Sequence, residues 1–128
     1  MAMIAPAFTV PFTFEFLGAV DNVTDADLGD IPFRCIIYQI DWRVHDANAT
    51  FDTTVLTLEY DDGASGADTV IEAITTGANT VAGRVANADI TQDDIPADSR
   101  ILLTVDNVST GADLGVTFIF HVIPVGLH

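Results

Sequence analysis

"RCIIYQIDWRVH", residues 34–45, decides the fold class. Its apolar residues Ile36, Tyr38, Ile40, Trp42 and Val44 alternate with Gln39, Asp41, Arg43 and His45. An extended chain sends successive side chains to opposite faces, so a period of two marks a strand with one wet and one dry face. The same alternation runs through residues 7–18, "AFTVPFTFEFLG", where Phe8, Val10, Phe12, Phe14 and Phe16 share a face. Pro11 has no N–H for a ladder, which places this strand at a sheet edge or at a bulge. Residues 53–60, "TTVLTLEY", align Thr54, Leu56, Leu58 and Tyr60. "RILLTV" aligns Ile101, Leu103 and Val105, and "GVTFIFHVI" aligns Val116, Phe118, Phe120 and Val122.

Between these runs lie turn-rich stretches: "DNVTDADLGDIP", "HDANATFD", "DDGASGAD", "TTGAN" and "NVSTGADLG". Asp, Asn and Gly there supply side-chain-closed turns and positive φ angles. Residues 68–90 read less clearly, as a short strand followed by a strand or by one to two helical turns around Val81 to Val85. No segment sustains a 3.6-residue period. The sequence therefore predicts an all-β, single-domain β-sandwich, jelly-roll-like in its strand spacing. Residues 33–128 form the sandwich body, and residues 1–32 an N-terminal apolar arm or edge strand with an acidic loop. Trp42, Tyr38, Leu56, Leu58, Leu103, Phe118 and Phe120 are expected in the core.

At 128 residues the chain can bury about two-thirds of its unfolded surface. A hydrophobic content of 49% with eight Phe supplies the core. Nineteen acidic residues against four basic ones, none of them lysine, give a formal net charge of −15. That balance excludes non-specific nucleic-acid binding, which needs cations to neutralise phosphates, and an anionic membrane would repel it. An Asp-rich, Lys-free surface fits a saline, halophilic setting or a particle surface kept soluble by charge. The single Cys35 rules out an intramolecular disulfide. Residues 1–12 lack a cationic start and carry Pro6 and Pro11, so no secretory signal is expected. The longest run without Asp, Glu, Lys or Arg, residues 114–128, is too short for a membrane-spanning helix. Asn22, Asn48 and Asn107 open sequons that matter only in a glycosylating host.

No reaction centre emerges, so no catalytic residue and no cofactor is assigned. Asp25, Asp27 and Asp30 around Gly29 are a weak candidate for a calcium loop. Counting from Asp25, the twelfth position, where an EF-hand places a bidentate Glu, is Ile36. The pairs Asp61-Asp62 and Asp93-Asp94 read as turn residues, and no metal is needed for folding. His45, His121 and His128 lack a metal-ligand spacing. Cys35, next to Ile36 and Ile37, reads as a small buried hydrophobe. Trp42 belongs to the core series rather than to a sugar-stacking platform.

The order of segments over residues 33–124 adds a resemblance. "CIIYQIDWRVHDA" is followed by "TTVLTLEYDDG", a Gly/Ala/Thr stretch, "IPADSRILLTVDN" and "STGADLGVTFIFHVIP". This resembles the β-sandwich and jelly-roll virion proteins of tailed viruses, which serve as head decoration, capsid-stabilising or fibre-type components. About three-quarters of the chain is covered; residues 1–32 have no counterpart. The resemblance implies a homo-oligomeric structural protein, such as a trimer, without enzymatic activity. Its partners would be the major capsid protein and copies of itself, with no nucleic acid and no membrane. It would be made in the host cytoplasm and sit on the virion exterior, held by apolar surface with Phe8, Val10, Phe12, Phe14 and Phe16 at the interface. The alternative is a receptor- or glycan-binding module of a viral fibre, spike or tail.

Overall fold

The computed structural model describes residues 9–16, 23–45, 54–64, 66, 68–76, 82–107 and 115–126. Among these residues nine strands follow one another: β1 (Val10–Phe16), β2 (Val23–Ile31), β3 (Cys35–Val44), β4 (Thr54–Asp61), β5 (Thr69–Thr76), β6 (Ala82–Ala86), β7 (Asp94–Ile95), β8 (Ser99–Asn107) and β9 (Val116–Pro124). Among the described residues the one helical element is a single 3-10 turn at Asn87–Asp89.

Every pairing is antiparallel and the pairings nest: β4 with β5, β3 with β6, β2 with β8, β1 with β9. The chain is thus one long hairpin, and curling it brings β9 onto β3 and β8 onto β4. Two sheets result, one ordered β1-β9-β3-β6 with β7 beside β3, the other β2-β8-β4-β5. This is the jelly roll that the strand spacing predicted. Curling serves burial, because a flat hairpin of this composition would leave one apolar face wet.

The dry layer lies between the sheets. Ile37, Ile40, Leu56, Leu58, Leu103, Phe118, Phe120 and Val122 are fully buried, and Trp42 nearly so. Phe14 packs edge-on against Phe120 with ring centroids 5.0 Å apart, so β1 contributes to this layer. The buried hydroxyls are satisfied locally: Ser99 donates to the Pro96 carbonyl at 2.7 Å, and the Thr76 hydroxyl accepts the Thr54 N–H at 3.1 Å.

Two expectations change. Tyr38 is half-buried rather than in the core, because β3 bulges against β9 between Ile37 and Gln39. One extra residue inverts the alternation, so Cys35 and Ile37 point inward before the bulge and Ile40, Trp42 and Val44 after it. The acidic stretch expected as a loop is strand β2, made irregular by two register shifts against β8. Asp25 at φ 54° and Gly29 at φ 135° mark those irregularities, which lets an Asp- and Gly-rich stretch keep a ladder. Of the two readings of the ambiguous stretch, strand holds over Ala82–Ala86, and a 3-10 turn follows at Asn87–Asp89.

β6 holds a strand because of what it leaves room for. Gly83 lies opposite Trp42 in the ladder, and a Cβ there would come within 2.6 Å of the indole Nε1. The edge strand therefore forms a seat for the ring. Trp42→Ala should lower stability by about 3–5 kcal/mol in urea unfolding, and Gly83→Ala by about 1–3 kcal/mol through overpacking. An unchanged midpoint in the first variant would mean that the indole does not serve the core.

Candidate functional site

Alternation gives each sheet an outer face, and the two faces differ. On the four-stranded sheet, Asp27, Asp30, Glu59, Asp61 and Asp106 share the outer ladder face with Arg100, Leu102 and Thr104. Asp25 joins them: its backbone N–H donates to the Thr104 hydroxyl at 3.1 Å, and that hydroxyl lies 2.9 Å from Glu59. Carboxylate oxygens of Asp25, Glu59 and Asp68 lie within 4.8 Å of one another. Burial, and then the negative charges of Asp25 and Asp61, push the Asp68 pKa up. Arg100, paired with Asp27 at 3.5 Å, is the only cation placed on this face among the described residues.

The candidate loop ligands separate on this surface. Asp25 turns toward Glu59 and Asp68. Asp27 accepts the Gly29 N–H at 3.0 Å, and Asp30 stands opposite Arg100 in the ladder. The other acidic pairs do local work. Asp61 and Asp62 close turns by accepting the N–H of Gly63 and Ala64 at 2.8 and 2.9 Å. Asp93 accepts from Asn87 at 2.8 Å.

The outer face of the five-stranded sheet is balanced. Arg34, Arg43 and Arg84 share it with Glu15, Asp41 and Asp94. Asp41 is its centre, contacted by Arg84 at 2.8 Å, His121 at 3.0 Å and Gln39 at 3.2 Å. Burial pushes the Asp41 pKa up, but hydrogen bonds from Arg84 and His121, the Arg84 charge and the Gln39 amide outweigh it and hold the carboxyl below its usual value. Arg34 grips Asp94 through two bonds of 3.0 and 2.7 Å and, despite some burial, holds that carboxyl low as well. His45 hydrogen-bonds Thr117 through Nε2. Beside it opens a shallow pocket of about 230 Å³ lined by Asp41, Trp42, Arg43, His45, Thr117 and Ile119.

An Asp–His contact can serve acid–base chemistry only when the histidine also reaches a reacting group. Here Asp41 is the counter-ion of Arg84 and a hydrogen-bond partner of His121 on an open sheet surface. Cys35 is buried, and desolvation, reinforced by the Asp94 charge, pushes its thiol pKa up to about 11, which keeps it protonated. His128 and Phe8 lie outside the described residues. Of the other interface candidates, Phe14 is buried in the chain's own core, while Val10, Phe12 and Phe16 are partly buried against it. Phe12 also meets Phe33 edge-on at 5.6 Å.

No protein-family model matches the sequence, and no curated protein matches it. Solved structures do match. A chain of the Ralstonia phage GP4 capsid superposes with a TM-score of 0.61 at 13% identity, over 99% of this chain and 91% of that one. A chain of the acid-stable capsid of Helicobacter pylori bacteriophage KHP30 superposes with a TM-score of 0.56 at 12% identity, over 92% of this chain and 94% of that one. The fold is one found in phage capsids. The resemblance to virion proteins read from the sequence holds at that level.

The sequence showed that Asp41 and Arg43 point outward, but not that Arg84, 43 residues from Asp41, lands beside it. That contact depends on the β3–β6 register, which a single-strand pattern does not contain. Asp41 contributes stability above its unfolded pKa of about 3.9, and the contribution is lost as pH falls through the lower folded value. Asp41→Asn should therefore lower the urea midpoint at neutral pH, with the gap to wild type closing below about pH 3.9. A gap that persists unchanged in acid would mean that the loss is one of packing.

Proposed function

We propose that this chain is a virion structural protein, a head decoration or capsid-stabilising subunit bound to the major capsid protein on the capsid exterior. The observation that carries the reading is the end-to-end likeness to two phage capsid chains: the superpositions cover more than nine-tenths of each chain in both directions. Such coverage concerns a whole fold rather than a shared hairpin motif. The chain's role is then mechanical rather than enzymatic. A rigid two-sheet body, an attachment surface and a charged face that repels neighbours suffice for it.

Self-association belongs to the same reading. Among the described residues β1 pairs only with β9, so its other edge offers main-chain groups to a second chain. With Phe14 committed to the core, the share of β1 in an interface lies in that edge and in Val10, Phe12 and Phe16 at the rim. A two-fold dimer pairs such a surface with itself, and a closed ring such as a trimer joins it to a second, complementary surface of the next subunit.

Mixed with particles that lack it, the purified protein should sediment with them to a fixed copy number set by particle symmetry. Binding should strengthen with added salt, which screens a charge of −15 per subunit. A monomer that stays in the supernatant and is captured by immobilised glycans would overturn the reading in favour of a recognition module.

A further inference from the structure

We infer that the outer face of the five-stranded sheet is the surface that docks on the capsid shell protein, with the pocket at Ile119 and the neighbouring Arg43 as its anchor. This rests on the proposed virion role and specifies which face makes the contact. Docking removes water from both partners, and desolvating unpaired charge is what costs most. The four-stranded sheet sets Asp25, Asp27, Asp30, Glu59, Asp61 and Asp106 against Arg100 alone, so it resists burial and repels any acidic neighbour. On the other sheet, Arg34 and Arg84 are already neutralised by Asp94 and Asp41. Along its inner strand β9, Ile119 and Ile123 alternate with Thr117 and His121, all half-buried by the flanking strands. Of the charges on this face only Arg43 and Glu15 are in no ion pair among the described residues, so drying it strands fewer unpaired charges than drying the acidic sheet.

The pocket states what the partner must offer. Its floor and walls include Ile119, Thr117 and the Trp42 segment, an apolar recess that fits one aliphatic or aromatic side chain. Arg43 stands exposed on its rim and, among the described residues, is the one arginine in no ion pair. A guanidinium in that position meets a carboxylate. The partner surface is therefore a protein face presenting an apolar side chain next to an Asp or Glu. An anchor in a pocket bordered by a charge pair is the arrangement that concentrates binding energy at interfaces.

The test compares variants of the whole chain in co-sedimentation with particles lacking it. Arg43→Glu alters an exposed side chain, and Ile119→Arg fills the pocket; melting curves confirm that each is folded. Both should lower occupancy at least tenfold, whereas Asp61→Asn and Asp106→Asn on the other sheet should bind as wild type does. Full binding by Arg43→Glu and Ile119→Arg would overturn the assignment, and loss through the Asp61 and Asp106 variants would move docking to the acidic sheet. If the two variants abolish self-association of the free protein and leave particle binding intact, the face joins copies of this chain and the assignment fails. A wild-type chain that binds no particle at all would instead remove the virion reading on which the inference stands.

Discussion

Two sheets, each apolar on one side, have no partner for their dry faces except each other. Everything else in the fold follows from satisfying that need with a single chain. Nested antiparallel pairing supplies the strands, and curling the hairpin closes Ile40, Trp42, Phe118 and Phe120 of one sheet over Leu56, Leu58 and Leu103 of the other. Backbone groups are paired along the ladders, so burial of this layer costs few unmet hydrogen bonds. No buried side-chain polar atom lacks a partner among the described residues. A core of this kind needs no disulfide, and the single cysteine is spent inside it.

Once the inner faces are fixed, the outer ones are free to differ, and they do. Carboxylates accumulate on the four-stranded sheet, where burial and then the charges of Asp25 and Asp61 raise the Asp68 pKa. Arginines collect on the five-stranded sheet, where Asp41 and Asp94 are held ionised. Among the described strand residues the negative charge thus lies more on one sheet than on the other. Such a division suits a body that meets a surface on one side and solvent or neighbouring copies on the other.

Much of this was legible in the residues. Period-two alternation in β1, β4, β8 and β9 gave both class and inward faces, because burial and pleat share one period. The alternation misled where the backbone departs from a regular pleat. The bulge after Ile37 put Tyr38 off the core face, and positive φ at Asp25 and Gly29 made a strand of a stretch whose composition reads as turn. Bulges are set by cross-strand geometry, which composition does not encode. The same limit applies to the surface: Asp25, Glu59 and Asp68 lie far apart in sequence, and the Asp41–Arg84–His121 group spans three strands. Only the register of the rolled hairpin brings either set together.

The most direct measurement is an electron cryo-microscopy reconstruction of the virion at a resolution that separates strands. A jelly-roll density should sit at symmetry-related positions on the outside of the shell, with β1, β9, β3 and β6 against the shell protein and the acidic sheet in solvent. A virion without that density would contradict this structural role, and one with the acidic sheet against the shell would contradict the assignment of the docking face.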